Sequence, residues 1–299
     1  MQIAVHILAY NVNLFLKEVI ENSSPHVDKI FIAYPKRPWA YNLKSRNEYK
    51  NPTSLEFIKE CSMGHNVEIV QGDWMYEEET RNEIFNLAKS QGFDWFITQD
   101  ADEFYDDKSW NIILEELKKS KNETYFNTNW YNFWKSSQYV IMHDNGNIKG
   151  TNINFALRCL KEIKFLSKRK PNLTKPKLMD ADCYHYSWIW SDLEMETKIK
   201  TWGHTNEFNH KIWYQTKWLN WNENTLYLHP SNPRYWKKAI KFPYKQPFFA
   251  QKFSRNVEFR DLSVKEKTDN FIYDIKSWPG YAIKRMKKKI RYQINVISK

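Results

Sequence analysis

The sequence predicts an α/β fold in which a mostly parallel sheet is flanked by helices, and three observations predict it. Short apolar segments typical of buried strands occur at 3–9, 29–34, 67–70 and 95–97. Segments with apolar residues at helical spacing separate them, and strand–helix–strand crossovers join parallel strands. Polar residues follow the strands abruptly, at the sheet edge where α/β proteins bind ligands.

The first predicted strand, 3–9, is a nearly continuous apolar run, which is typical of a parallel strand buried on both faces. Tyr10 and Asn11 end it. A helical pattern follows in Leu14, Phe15, Val19 and Ile20, and the second strand then occupies 29–34. The amino-terminal part of the chain therefore already predicts one strand–helix–strand unit.

A second unit runs from strand 67–70 through a helix at 78–91 to strand 95–97. Acidic residues crowd the first turn of this helix, where its dipole favours anions. Asp73 follows the first of the two strands, and three acids follow the second. Because the carboxyl ends of parallel strands meet at one edge of a sheet, these acids are expected to lie close together.

The three acids are Asp100, Asp102 and Glu103. Asp100 and Asp102 are two residues apart, so on an extended backbone their side chains point to the same side. Two carboxylates held that close repel each other unless a cation lies between them or one is protonated. Oxygen ligands with open positions suit Mg²⁺ or Mn²⁺ carrying a substrate's phosphates. A plain acidic turn after a strand is the alternative.

The chain resembles the family 2-type glycosyltransferases of the GT-A fold, which has a Rossmann-like sheet. The resemblance covers roughly 1–205. Its most specific part combines Arg81-Asn82, on a helix, with the acidic motif about one helix later. It also includes a strand ending in Tyr10-Asn11, a His-aromatic-Ser segment at 185–187, and a later helix carrying Lys198.

The resemblance implies transfer of a sugar from a nucleotide-diphosphate sugar with Mn²⁺ or Mg²⁺. Asp102 would bind the metal directly, and His185 would be the remaining protein ligand. Asp100 would contact the ribose or reach the metal through water. The residues that would contact the nucleotide or orient the acidic loop are Tyr10, Asn11, Asp73, Arg81 and Asn82. UDP is favoured over GDP, although 11–13 reads Asn-Val-Asn where many family members have Asn-Glu-Glu.

Glycosyl transfer builds charge on the leaving diphosphate, and a divalent cation stabilises that charge as a Lewis acid. An inverting reaction, which we expect here, also needs a base for the acceptor hydroxyl of a glycan, lipid or protein. The candidate catalytic bases are Glu103, Asp180 and Asp182, with Asp144 also considered. Hydrolysis between two carboxylates fits less well, because acids one residue apart lie too close to flank a sugar.

The predicted organisation is a catalytic domain at 1–205 and a carboxy-terminal extension at 206–299, first Trp-rich and then a basic amphipathic helix. That helix accounts for much of the net charge of +11. It would either contact an anionic membrane or pack its apolar stripe on the body. The absence of a leader, of a membrane-spanning run and of a cysteine framework predicts a cytoplasmic protein, with membrane contact at most peripheral.

Two other classes remain open from the sequence. A nucleotidyltransferase-like enzyme also needs carboxylates at strand ends, but usually adds a Gly-rich phosphate loop or a further metal-site acid, and neither is evident. A basic module without catalysis could bind nucleic acid or membrane, although no specific nucleic-acid motif is present.

Overall fold

A computed structural model describes residues 1–201 and 207–276, except for the side chains of 151–153. The basic segment predicted to be an amphipathic helix, 284–299, lies outside the described residues, and so does the extension from 277 onward.

Most of the described strands are short, and the three longest have ten to twelve residues. The strands are β1 (Ile3–Leu8), β2 (Lys29–Pro35), β3 (Val67–Gly72), β4 (Trp95–Asp100), β5 (Glu103–Tyr105), β6 (Tyr125–Trp134), β7 (Ser136–His143), β8 (Lys149–Arg158), β9 (Phe165–Ser167), β10 (Lys170–Pro171), β11 (Lys177–Trp188) and β12 (Trp236–Lys241).

The helices pack around the sheet formed by these strands. They are α1 (Leu16–Ser23), α2 (Leu43–Glu48), α3 (Leu55–Ser62), α4 (Glu77–Ser90), α5 (Asp107–Lys119), α6 (Asp192–Thr201), α7 (His210–Trp213) and α8 (264–276). A wider π-helical turn, Tyr214–Leu219, continues α7, and 3₁₀ turns occupy Pro233–Tyr235 and Phe248–Phe253.

The four amino-terminal strands form a parallel sheet in the order β3-β2-β1-β4. This matches the first four strands of the doubly wound order 3-2-1-4-5-6, with the switch point between β1 and β4, and it brings the carboxyl ends of all four strands to one edge. From β4 the sheet continues through β8, β6 and β7 to β12, and these neighbours pair antiparallel. The predicted α/β fold class, a mixed sheet flanked by helices, is confirmed.

Helix α4 covers one face of the parallel strands because its apolar residues recur on one side. Ile84, Phe85 and Ala88 are fully buried there. Burying side chains the size of Ile84 and Phe85 contributes about 1.5–3 kcal/mol each. Glu79 accepts hydrogen bonds from the N–H groups of Met75 and Tyr76, which caps the start of the helix. The helix therefore begins at a defined place beside the sheet edge.

Strand β11 brings a distant segment to the acidic turn after β4. It pairs antiparallel with β5, so that His185 lies opposite Glu103, and parallel with β6, so that His185 also lies beside Asn132. His185 lies within this strand, near its carboxyl end. The pairing determines where His185 points, because a strand fixes the face on which each side chain lies.

The Trp-rich residues beyond 206 contribute to the same core as the sheet. Trp134 on β6 packs edge-on against Trp213 and Trp218 at centroid distances of 6.0 and 5.1 Å. Trp236 begins β12, which extends the sheet beyond β7. No helix within the described ranges is long and apolar enough to cross a membrane.

The basic segment 164–177 contains two prolines, which are typical of loops, but part of it forms the short hairpin β9–β10. Asn82 of α4 makes two hydrogen bonds to the backbone of this hairpin. Its Nδ2 donates to the carbonyl of Phe165 at 2.9 Å, and its Oδ1 accepts from the N–H of Phe165 at 2.8 Å. The predicted nucleotide-contacting Asn82 therefore anchors the hairpin in this structure.

Candidate active site

A cavity of about 230 Å³ lies at the carboxyl ends of β1 and β4. The turns after those strands line it, together with side chains from β11 and α6. The lining residues that carry the chemistry discussed below are Tyr10, Asn11, Asp100, Asp102, His185 and Lys198. Five of the eleven site residues that the sequence predicted therefore line this cavity: Tyr10, Asn11, Asp100, Asp102 and His185.

The turn after β1 is held by a single side-chain amide. Asn51 donates from Nδ2 to the carbonyls of Ala9, at 2.6 Å, and Pro35, at 2.8 Å, and its Oδ1 accepts from the N–H of Asn11 at 3.1 Å. Asn11 has a φ of 55°, a left-handed conformation that asparagine tolerates better than most residues. Tyr10 and Asn11 are therefore fixed at the cavity wall.

Two arginines contact Asp100: Arg81, which is buried, and Arg169, whose side chain is 14% exposed. Its Oδ1 lies 3.0 Å from Arg81 Nη2, and its Oδ2 lies 3.4 Å from Arg169 Nη1. Burial opposes ionisation of Asp100, but the guanidiniums of Arg169 and Arg81 outweigh it and hold its pKa below the ordinary value. Each oxygen of Asp100 contacts an arginine, so the charge of this carboxylate is already balanced by the protein.

Arg81 links Asp100 to the start of α4 and to β1. Its Nη2 lies 2.7 Å from Glu77 Oε1, and its Nη1 lies 3.2 Å from His6 Nδ1. A guanidinium only donates hydrogen bonds, so Nδ1 of His6 accepts and the ring carries its proton on Nε2. Burial and the charge of Arg81 hold the pKa of His6 well below its usual value, so this histidine is neutral.

Glu103, a predicted catalytic base, is completely buried. Arg169 binds its Oε1 through Nη1 and its Oε2 through Nη2, the latter at 3.2 Å. Its Oε2 also accepts from the N–H of Asp100 at 3.1 Å. Burial raises the pKa of Glu103, with Arg169 opposing that rise. The Glu103 carboxylate therefore stabilises the acidic turn through the N–H of Asp100, and it does not line the cavity.

The other predicted bases also lie away from the cavity. Asp182 on β11 pairs with Lys149 at 2.8 Å, and Asp180 is exposed on the same strand. Strand β11 carries them to the sheet region beside β6, whereas His185, farther along, reaches the cavity. The carboxylates that line the cavity are Asp100, Asp102 and Glu77.

Asp102 and His185 face each other, with Oδ1 and Nε2 3.5 Å apart. The ring of His185 stacks on Trp130 at a centroid distance of 4.7 Å, and its Nδ1 lies 2.7 Å from Asn132 Oδ1. Because Nδ1 donates to Asn132 Oδ1, the ring directs its Nε2 towards Asp102. A ring oriented by its second nitrogen in this way is typical of metal-binding histidines.

Lys198 of α6 also reaches Asp102, although the sequence assigned it no role. Its Nζ donates to the carbonyl and the hydroxyl of Ser187, at 2.6 and 2.9 Å, and lies 3.7 Å from Asp102 Oδ2. Burial works against ionisation of Asp102, but His185 and Lys198 outweigh it and lower its pKa well below the usual value. Asp102 is therefore an ionised carboxylate between an imidazole and an ammonium.

Asp102 and His185 could supply part of the coordination shell of a divalent ion. Within the described residues, no three His, Cys, Asp or Glu side chains converge to form a complete metal cage. Asp102 and the Nε2 of His185 supply one oxygen and one nitrogen ligand on the same side of the cavity. Mg²⁺ and Mn²⁺ in nucleotide enzymes often take a few protein ligands and complete their shell with substrate phosphates.

Asp73, predicted to contact the nucleoside, is half-exposed outside the cavity lining. Its Oδ1 lies 2.7 Å from Nη2 of the buried Arg46, which also donates to the carbonyls of Pro38 and Trp74. Asp73 therefore fixes the segment after β2 that contributes Trp39 to the cavity wall.

No protein-family model matches the chain, and no curated protein matches it either. Solved structures overlap with it loosely. TarS 1–349 of S. aureus shares 10% identity over 74% of this chain and 71% of that one, with a TM-score of 0.35. The 4-diphosphocytidyl-2C-methyl-D-erythritol synthase of Anaerococcus prevotii shares 15% over 53% and 71%, with a TM-score of 0.33.

A third overlap is with glucosyl-3-phosphoglycerate synthase of Mycobacterium tuberculosis, in complex with Mn²⁺, UDP and glucosyl-3-phosphoglycerate. It shares 12% identity over 44% of each chain, with a TM-score of 0.29. At these identities and TM-scores the overlaps identify no family for the chain, and the functional proposal below is based on the cavity.

Proposed function

We propose that this protein is a metal-dependent glycosyltransferase that takes a sugar from a nucleotide-diphosphate donor. The observation that carries the proposal is the pair formed by Asp102 and the Nε2 of His185, which face each other at 3.5 Å in a cavity at the carboxyl ends of parallel strands. Ligands of α/β proteins bind at such strand ends.

We propose that different cavity residues bind different parts of the donor. Tyr10 and Asn11 would contact the nucleoside, while Asp102 and His185 would hold Mn²⁺ or Mg²⁺ against the diphosphate. When bound, the ion would supply Lewis-acid stabilisation of the leaving diphosphate. Lys198 adds a fixed positive charge on the same wall. UDP is the preferred nucleotide in this proposal, and the acceptor is a hydroxyl of a glycan, lipid or protein.

The remaining charged residues hold this arrangement in place. Arg81 and Arg169 fix Asp100 from both sides, and Arg169 also fixes Glu103. Planar guanidiniums hold carboxylates with two directed bonds, which limits motion of the turn that presents Asp102. Pre-positioned charge at the leaving group is how enzymes lower barriers of this kind.

Donor hydrolysis is the first test, because glycosyltransferases release nucleotide slowly without an acceptor. We expect release of UDP from a panel of UDP-sugars in Mn²⁺, loss of release in excess chelator, and a large loss in His185→Ala. His65→Ala, in the turn between α3 and β3, is the matched control and should match the wild type. A His185→Ala variant with wild-type metal dependence would contradict the proposed ligand set, and turnover of a nucleoside triphosphate would indicate a nucleotidyltransferase.

We also propose peripheral contact with an anionic membrane through the carboxy-terminal part of the chain. On α8 the side chains of Val264, Phe271 and Ile275 are 81%, 64% and 55% exposed, and their spacing places them on one side of the helix. The sequence then continues into the basic cluster at 284–291. Apolar side chains next to clustered lysines and arginines suit a surface of anionic lipids.

Vesicle sedimentation tests this contact with the full chain. Vesicles containing phosphatidylserine should carry down the protein, and about 0.5 M NaCl should release it, because screening weakens each basic contact. Purely neutral vesicles should carry down little. The double variant Phe271→Ser/Ile275→Ser should sediment less than wild type. Equal sedimentation with neutral and anionic vesicles, or none with either, would contradict the proposal.

A further inference from the structure

Lys198 places a positive charge beside a carboxylate that is proposed to bind a divalent cation. Its ammonium lies 3.7 Å from Asp102 Oδ2, on the carboxylate that would hold a divalent ion together with His185. In the metal-free protein, Lys198 is therefore the counter-ion of Asp102. A second cation entering this place meets a positive charge that is already present.

The ammonium is fixed where it lies. It donates to the carbonyl of Ser187 at 2.6 Å and to its hydroxyl at 2.9 Å, both on β11. The ring of Trp190 lies 5.2 Å from Nζ, and the lysine side chain is only 17% exposed. A lysine held by these contacts cannot swing into solvent when another cation arrives without losing its hydrogen bonds and its ring contact.

We propose that Lys198 makes metal binding depend on the nucleotide diphosphate, a coupling that rests on the proposed function above. With no diphosphate present, Lys198 neutralises Asp102 and repels a divalent ion. With a diphosphate present, its negative charge attracts both cations, so the same lysine strengthens nucleotide binding. Metal and nucleotide therefore favour each other, and free metal alone binds weakly.

The sign of each effect follows from Coulomb's law. Removing one unit charge about 5 Å from a divalent ion should strengthen metal binding to the nucleotide-free protein by at least about tenfold, which is the value at the dielectric of bulk water. Removing the same charge from beside a bound diphosphate should weaken nucleotide binding by a similar factor. The two changes have opposite signs, and a lysine that only stabilises the packing of α6 on β11 would produce neither pattern.

Calorimetric titration of Lys198→Met tests the coupling. Mn²⁺ titrated into the nucleotide-free variant should bind at least about tenfold more tightly than to wild type, and UDP titrated in saturating Mn²⁺ should bind at least about tenfold more weakly. Lys200→Met is the matched control, since Lys200 lies on the same helix, is 40% exposed and pairs with Glu196 at 2.8 Å. It should change neither affinity.

Lys198→Arg keeps the positive charge. It therefore distinguishes the effect of losing the charge from a folding defect in Lys198→Met. It should retain weak Mn²⁺ binding without nucleotide, with a thermal transition close to that of wild type. Unchanged or weaker Mn²⁺ binding by folded Lys198→Met would overturn the inference. If wild type bound no UDP in the presence of Mn²⁺, the proposed function would fail, whereas the nucleotide-free Mn²⁺ titration would still test the repulsion by Lys198.

Discussion

Asp102→Asn is expected to lower donor turnover by about 10³-fold, because the variant loses the only carboxylate in the described cavity that is not engaged by an arginine. The amide is close to isosteric but carries no charge. It binds a divalent ion far more weakly and cannot hold it against a leaving diphosphate. Release of UDP from a UDP-sugar, followed over a range of Mn²⁺ concentrations, measures the loss.

Two controls separate chemistry from folding in this experiment. Asp107→Asn, in the exposed first turn of α5, should leave turnover and Mn²⁺ dependence unchanged. Asp102→Asn should remain folded at the assay temperature, but its melting temperature should fall, because the amide leaves the mostly buried Lys198 without its carboxylate partner. Wild-type turnover by Asp102→Asn would rule out this carboxylate as the metal ligand.

Arg169→Met is expected to give the largest loss of stability among the site variants, about 3–5 kcal/mol in the free energy of unfolding. Arg169 is the partner of the fully buried Glu103 and also contacts Asp100. Its Nη2 further donates to the carbonyl of Thr98 at 2.6 Å. Removing the guanidinium leaves a carboxylate buried without a counter-ion, and urea denaturation measures the cost as a lower midpoint.

A double variant shows whether the uncompensated charge causes this loss. Arg169→Met/Glu103→Gln removes both charges and should recover a clear part of the stability, because a neutral buried amide costs less than an unpaired carboxylate. Lys170→Met, the next residue along the hairpin and exposed, should change the midpoint little. An Arg169→Met midpoint equal to wild type would mean that Glu103 and Asp100 are held without Arg169.

The parallel strands could be predicted because each is a continuous apolar run and the helices between them are periodic. The strands at 3–9, 29–34, 67–70 and 95–97 correspond to β1 to β4. Their order follows from pairing across the sheet, which local sequence does not contain. The sequence likewise placed Tyr10, Asn11, Asp100 and Asp102 at one edge, because residues after parallel strands share it.

The resemblance suggested Arg81 and His185 as neighbours of the acidic turn, but its other partners could not be predicted, because they come from far along the chain. Arg169 lies in a segment whose prolines indicated a loop, and only the hairpin held by Asn82 carries it under Asp100. Glu103 is one of the predicted candidate bases. The short strand β5 pairs with β11 and places its side chain in the interior.

The role of His185 is a further feature that the local sequence alone could not predict. Its sequence context, between two tyrosines, indicates a buried aromatic segment as readily as a ligand, and only the resemblance to a family favoured a metal. In the structure, Asn132 and Trp130 orient the ring, and both lie on β6. The register between β6 and β11 produces these contacts, and such long-range register is set by the whole sheet.

Calorimetric titration of UDP into the wild-type protein, with and without Mn²⁺, tests the central claim most directly. The account predicts measurable UDP binding in Mn²⁺, binding at least about tenfold weaker in excess chelator, and loss of the Mn²⁺ effect in Asp102→Asn. GDP and CMP titrated under the same conditions should bind more weakly than UDP. UDP binding of equal strength with Mn²⁺ and with chelator, or no binding of any of the three nucleotides, would contradict the account.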